Sequence, residues 1–393
     1  MIEPARIMRP HQRAFLRALD WAGERCLPAP SLHGPQRRIL LLRLEQWGDL
    51  ITTLPAAALL RSAWPQARLD LVVRPEYIAW SARFFPCDRV YALPGISPGR
   101  DDPGGNSWKI QVRDWGRQFC QIPRDYDLGL EFLGDPRNIL LGRSRARQMA
   151  GFGWRGGGFL LGLDGARPTP PRDFIHSHLE LCRRVINACG MQIPPGDPIT
   201  KGFSRLRGSA QESSAAIKVP AVPPWVILAP AASERSRGWP VPYWRQLARM
   251  LLARGETILV TGTHKQAAEV AAIMPLEPGI YNMAGKTDLF QLAWLVARAR
   301  LVIAPDTGIL HLARALQTPS LGLYGPNDPA VTGYQLPRHG SLFHALPCSF
   351  CHRRNCPFTQ DHGVCMQLLA PARVMDHAIS LLHAENQAAS APA

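Results

Sequence analysis

Short apolar runs, closed by turns of Gly, Pro and Asp and followed by stretches with helical spacing, recur along the whole chain. That alternation is the pattern of a parallel, doubly wound α/β sheet. Residues 38–44 form an apolar run, Glu45-Gln-Trp-Gly-Asp49 a turn, and residues 50–64 a helix with an early Pro55. The spacing then predicts a strand at 69–73, a helix at 77–85 and a strand at 89–92, with residues 94–107, rich in Pro, Gly and Asp, left as a loop. Strands near 127–131 and 148–151, a glycine-rich loop at 153–158 and a helix over 176–189 complete the first alternation. Periodicity fades between Lys201 and Pro224, where Ser, Ala and Pro dominate, and this stretch is read as a linker. A second alternation begins with the strand at 225–229. It continues with helices at 243–254, 265–274 and 289–297, strands at 257–260 and 321–324, and the segment 281–285 between them.

The second alternation centres on residues 301–316. Leu301 to Ala304 form a buried-strand run, Pro305-Asp-Thr-Gly308 breaks it, and Asp306 or Thr307 can cap a helix that begins near Gly308. Ile309, Leu312, Ala313 and Leu316 would share its core face, with His311 off that face. A strand running into a helix start is a ready anion site at the carboxyl edge of a sheet, and Gly308 would let a phosphate approach the backbone. Such joints are common without ligands, so this segment alone decides little.

A length of 393 residues suits two domains, and no apolar run reaches membrane-spanning length. The N-terminus carries no signal-peptide segment, which predicts a cytoplasmic protein. Phe15, Leu19, Ala22 and Cys26 recur at helical spacing, with Arg13 and Arg17 off that face. This fits an interfacial helix or one docked on the domain, and the modest apolar face favours docking. The net charge of +15 comes from 40 Arg and only five Lys against 30 acidic residues. It favours phosphorylated ligands or anionic membrane surfaces, and with no helix-turn-helix, RNP or zinc-finger pattern nucleic acid ranks last.

Three segments, in order, resemble the ADP-heptose:lipopolysaccharide heptosyltransferases of glycosyltransferase family nine. They are Arg43-Leu-Glu-Gln-Trp-Gly-Asp-Leu-Ile-Thr-Thr-Leu-Pro55; Leu228-Ala-Pro-Ala-Ala-Ser-Glu-Arg-Ser-Arg-Gly-Trp-Pro240 with Trp244; and Asp306-Thr-Gly-Ile-Leu-His-Leu-Ala-Arg-Ala-Leu316 continuing to Leu323-Tyr-Gly-Pro-Asn-Asp-Pro329. Asn282-Met-Ala-Gly-Lys-Thr-Asp-Leu289 fits as well. The resemblance implies a GT-B architecture: two Rossmann-like doubly wound domains facing a central cleft, with the nucleotide sugar held mainly by the C-terminal one. It also implies an inverting, metal-independent transfer of a heptose from ADP-heptose to a lipopolysaccharide core acceptor, a lipid-linked anionic glycan at the inner membrane, without a cofactor.

Such a transfer needs one base to deprotonate the acceptor hydroxyl. Asp49, in the glycine loop after the first strand, is the candidate, although an Asp so placed can also cap its own helix. The leaving diphosphate needs N–H donors and positive charge. The Thr307–Gly308 helix start supplies the first and Arg237, where the family more often has Lys, the second. Asp306 could hold its loop or contact the donor, and His311 could bind phosphate or pack beside its helix. By the same resemblance Gly48, Thr52, Ser233, Gly262, Met283 and Gly285 are substrate-binding candidates. Where family members often place a Glu that meets the ribose, the nearest residue here is Gln266, which leaves the donor nucleotide open. A family-nine enzyme with another donor or acceptor, or a GT-B-like binding protein without transfer, are the rival readings.

Cys348, Cys351, Cys356 and Cys365 could bind zinc as a structural staple, but their spacing is looser than a zinc ribbon's and favours reduced thiols. The domains expected are an extension over 1–37, an acceptor-binding domain over 38–200, a linker over 201–224 and a nucleotide-sugar domain over 225–368 that includes the Cys-rich segment 348–365. Residues 369–393 form a closing helix, of the kind that in GT-B enzymes commonly packs back on the N-terminal domain, and a disordered tail from Glu385.

Overall fold

The computed structural model describes residues 32–34, 36–94, 108–153, 157–165, 173–212, 219, 224–275, 277–334 and 336–390. The expected N-terminal helix, the loop at 95–107, the centre of the glycine loop at 153–158 and most of the stretch 213–223 lie outside these residues. The chain divides into two compact units, one ending at Gly202 and the other beginning at Phe203.

In the first unit the apolar runs become strands β1 (Arg38–Arg43), β2 (Arg68–Val73), β3 (Arg89–Ala92), β4 (Tyr126–Glu131), β5 (Ala146–Gly151) and β6 (Leu163–Asp164). All pair in parallel in the order β3-β2-β1-β4-β5-β6. Interior strands buried on both faces must be nearly continuous in apolar side chains, and Ile39, Leu40, Leu41 and Leu42 of β1 are each at most 1% exposed. The helices are α1 (Trp47–Ala63), α2 (Ile78–Phe84), α3 (Trp108–Gln121), α4 (Pro136–Arg143) and α5 (Phe174–Ala188), and α6 (Pro198–Glu212) begins here and continues past the division into the second unit. The order reverses between β1 and β4, the edge at which doubly wound sheets bind ligands.

The second unit repeats that plan. Strands β7 (Trp225–Leu228), β8 (Ile258–Val260), β9 (Ile280–Asn282), β10 (Ala299–Pro305), β11 (Ser320–Tyr324) and β12 (His339–Phe343) run in parallel in the order β12-β11-β10-β7-β8-β9. Here the switch lies between β7 and β10. Its helices are α7 (Val241–Leu252), α8 (Ala267–Ile273), α9 (Leu289–Ala297), α10 (Gly308–Leu316), α11 (Pro329–Thr332), α12 (Val364–Gln367) and α13 (Pro371–Ser390). The core joins Trp239, Trp244, Leu247 and Leu251 to the sheet, and Val374, Met375, Ala378 and Leu382 of α13 belong to the same cluster.

Two expectations need correcting. The stretch taken as the start of a linker is helical, because α6 runs through Glu212. Asp197 caps it, accepting from the N–H groups of Ile199 and Thr200 at 3.0 Å, and Pro198 at the first helical position fits a helix start. The tail expected to be disordered from Glu385 continues α13 to Ser390. That helix packs on α7 and on β10, β11 and β12.

Candidate active site

At the first switch point the chain leaves β1 through Leu44, Glu45 and Gln46 and enters α1 at Trp47. Asp49, expected in the loop, sits in the first turn of the helix. Its carboxylate accepts from the N–H of Gln46 at 3.0 Å, half of a capping box with the Gln46 side chain. The capping role is therefore real, yet Asp49 keeps 24% of its side chain exposed and one oxygen, Oδ1, 3.5 Å from Nη2 of Arg43. Thr52 is buried, and its hydroxyl donates to the Asp49 carbonyl at 2.9 Å. Gly48 is buried in the same turn.

Arg43 is the residue that the sequence did not single out. Its side chain is 1% exposed, with Nη1 3.4 Å from Glu45 Oε2 and Nε donating to the Asp49 carbonyl at 3.2 Å. Glu45 accepts from the Asn138 amide at 2.9 Å. The same amide lies 3.5 Å from Oε1 of Glu131, the last residue of β4. Glu131 is fully buried and takes the N–H groups of Leu133 and Gly134 on Oε2. A positive φ of 80° at Gly134 lets that turn fold back onto the carboxyl.

Burial pushes Glu45 up to about 7, reinforced by Asp49 and Asp135 and opposed by Arg43. Burial, then the Glu45 charge, pushes Glu131 up to about 8. His178, on α5 beside them, donates from Nδ1 to the Thr52 carbonyl at 3.3 Å and is pushed down to about 3 by burial and by Arg43. His339 falls to about 4 for similar reasons.

These shifts fix the sign of a stability test. A folded-state value raised from 4.5 to about 7 or 8 means that the folded chain holds protons that the unfolded chain has released. Both histidines are already neutral in either state above their ordinary 6.5. Between pH 6.5 and about 8 stability should therefore fall as pH rises, by at most ~1.4 kcal/mol per pH unit for each glutamate. Below 6.5 the histidines oppose the trend, since the unfolded chain then takes up protons that the buried rings refuse. Melting temperature followed against pH in the wild type and in Glu131→Gln checks this; equal slopes in the two proteins would refute it.

At the second switch point Asp306 ends the turn after β10, 7% exposed. It accepts a hydrogen bond from Asn327 Nδ2, and its Oδ2 lies 3.9 Å from Nη1 of Arg237. Arg237 comes from the loop after β7 and also pairs with Glu234 at 3.2 Å. Its Nε is buried and has no hydrogen-bond partner among the described residues. Thr307 occupies the N-cap position of α10, but no side chain caps the helix; the Thr307 hydroxyl donates instead to the Pro305 carbonyl at 3.1 Å. The start of α10 thus offers backbone N–H groups and the positive end of its dipole beside an Arg.

The other candidates in this unit separate. His311, expected off the core face, is buried because α10 is covered from Ile309 through Ala315. Its Nδ1 meets the Tyr334 hydroxyl at 2.6 Å, which favours the packing reading over a phosphate ligand. Gly262 and Gly285 come together, the Gly285 N–H donating to the Gly262 carbonyl at 3.0 Å. A side chain at Gly262 would meet Val270 at 2.9 Å, and Gly285 has φ +72°, so both also serve close packing. Met283 is buried and Ser233 exposed. Gln266 spends its Oε1 on the N–H and hydroxyl of Thr263, at 3.1 and 3.0 Å, leaving its NH2 for any ligand.

The Cys-rich segment braces the same loops. Ser236 donates to the carbonyls of Arg353 and Arg354, at 2.6 Å through its hydroxyl and 3.1 Å through its N–H. The His352 N–H reaches the Pro326 carbonyl at 2.8 Å, and its Nδ1 lies 3.2 Å from Asn327 Oδ1. Among the described residues no three His, Cys, Asp or Glu side chains are arranged to hold a metal ion, and Cys348, Cys351, Cys356 and Cys365 are free thiols.

Two Rossmann-like units, each a parallel sheet whose strand order reverses at a switch point, give the GT-B fold. Solved structures agree on the fold. The E. coli heptosyltransferase WaaC with ADP superposes with a TM-score of 0.65 at 18% identity over 88% of this chain and 99% of that one. The E. coli ADP-heptose lps heptosyltransferase II gives 0.63 at 17% over 89% and 99%. The family model for glycosyltransferase family 9 (heptosyltransferase) matches residues 143–362, and the chain belongs to that family. It is also similar to lipopolysaccharide heptosyltransferase 1 of Pseudomonas aeruginosa, 27% identical over 364 residues that cover 86% of this chain and 96% of the relative.

Proposed function

We propose that this protein transfers a heptose from ADP-heptose to a lipopolysaccharide core acceptor with inversion at the anomeric carbon. The observation that carries the reading is Arg237 over Asp306 at the uncapped start of α10, in a chain similar over nearly the full length of a lipopolysaccharide heptosyltransferase. In this mechanism Asp49 takes the proton of the acceptor hydroxyl as its oxygen bonds to the anomeric carbon. The bond from that carbon to the diphosphate breaks, and ADP leaves with the electron pair. Arg237 and the N–H groups at the start of α10 receive the charge that develops on the diphosphate. Asp306, held by Asn327, keeps Arg237 in place.

The acceptor is lipid-linked and anionic, and a chain of net charge +15 suits work at an anionic inner-membrane surface. No helix among the described residues is long and apolar enough to cross a membrane, so the proposed contact is peripheral. Gln266, neutral and with its oxygen already engaged, favours a second reading in which the donor carries another nucleotide. Thermal shift against ADP, UDP, GDP and their sugars separates the two. Stabilisation by ADP and ADP-heptose supports the heptose reading; a preference for UDP or GDP sinks it and keeps the transferase; no response to any nucleotide sinks both.

A further inference from the structure

Arg43 is the centre of a buried charge cluster whose members outnumber it. Glu45 and Asp49 approach it within 3.4 and 3.5 Å, and Glu131 joins them through Asn138. Although fully buried, Arg43 makes no hydrogen bond through Nη1 or Nη2 among the described residues, and Oε2 of Glu45 has none among them either. Apart from the Nε bond to the Asp49 carbonyl, the guanidinium is held by electrostatics, and the placing of its two Nη groups follows the charge on the carboxylates around it.

We propose that Glu45 is a positioning residue for the transfer step, contesting Arg43 with Asp49 so that its own protonation decides how tightly Arg43 holds the base. This rests on the assignment of Asp49 as the base in the proposed function. When Glu45 is neutral, Arg43 is left to Asp49, whose carboxylate is occupied by the ion pair. When Glu45 ionises, it draws Arg43 toward itself and adds negative charge beside Asp49, which frees Asp49 to receive the acceptor proton. No group enters or leaves the cluster except one proton exchanged with solvent.

The groups that face Glu45 are Arg43 on β1, Asp49 on α1, Glu131 at the end of β4, and Asp135, Arg137 and Asn138 at the start of α4. His178, from α5, faces Arg43 and stays neutral over the working range. Burial sets Glu45 near 7 and Glu131 about one unit higher, so Glu131 remains the protonated member while Glu45 changes charge around neutrality. The Asn138 amide, donating to both, spaces the pair and marks Glu45 as the one that faces Arg43.

The test is the pH profile of transfer by the wild type and by Glu45→Gln, which has the shape of a protonated Glu and cannot ionise. With the donor saturating, the two should agree within about twofold near pH 6, and the variant should be about tenfold slower near pH 8.5, with the change in kcat and not in KM for the donor. Superimposable profiles would overturn the inference while leaving the transferase intact. A wild type that transfers no sugar at any pH would instead remove the functional reading, and this inference with it. Infrared spectroscopy gives a readout that needs no turnover and covers a variant that fails to fold. The wild-type protein should show two protonated-carboxyl components, one lost on titration through neutrality and the other, that of Glu131, lost at higher pH, and a single component would also overturn the proposal.

Discussion

Asp49→Asn should lower kcat by about 10²–10⁴-fold, the range expected when a positioned general base is removed. Asn is the informative replacement because its side-chain oxygen can still accept from the Gln46 N–H, as Asp49 does at 3.0 Å, so the start of α1 is preserved. What disappears is the negative charge beside Arg43. The role divides cleanly in two measurements. Initial rates with saturating donor report the chemistry, and the rise in melting temperature with ADP reports the nucleotide site proposed for the second unit, to which Asp49 does not belong. A variant within tenfold of wild type would show that Asp49 only caps its helix.

Arg237→Ala should remove most of the stabilisation by ADP and lower kcat/KM by about 10²–10³-fold, the loss seen when one donor to a developing oxyanion is taken away. The argument is local. Arg237 stands between Glu234 at 3.2 Å and Asp306 at 3.9 Å, and its Nε has no protein partner among the described residues. Without it Asp306 would face the diphosphate as an unopposed carboxylate beside the start of α10. Arg237→Lys keeps the charge without the planar fork and should recover part of the loss, since the resemblance places Lys here more often. If the Ala variant gains the same melting temperature from ADP as wild type, Arg237 is a surface cation and the diphosphate lies elsewhere.

The parallel sheets were legible because strands buried on both faces leave little choice of residue: the runs at β1, β7 and β10 are almost unbroken in apolar side chains. Elements with mixed composition were not. His339–Phe343 pairs with β11 along its whole length although it carries His, Gly and Ser, because its neighbour supplies the register. Helix α6 was taken for the start of a linker, although the Asp-Pro pair at its head is a start signal that composition obscured. In the site, Asp49, Arg237, Asp306 and Thr307 could be named from local motifs. Arg43, Glu131 and Asn138 could not, because they meet only once β1 and β4 lie side by side, across about ninety residues of chain. Glu45 was within reach: a carboxylate two residues past a buried strand, four before the proposed base, is a charge without an obvious solvent exit.

The backbone of the Cys-rich segment turns through φ +60° at Phe350 and +53° at His352, where side chains are rarely tolerated. Each such turn costs on the order of 1 kcal/mol, and here the contacts to Pro326 and Asn327 hold them. Through Asn327, which donates to Asp306, the same contacts brace the loop that carries Asp306. Calorimetry should find ADP binding with a small unfavourable conformational entropy, and His352→Gly, which relaxes the turn and drops the Asn327 contact, should make that entropy more unfavourable while leaving the enthalpy of the diphosphate contacts nearly unchanged.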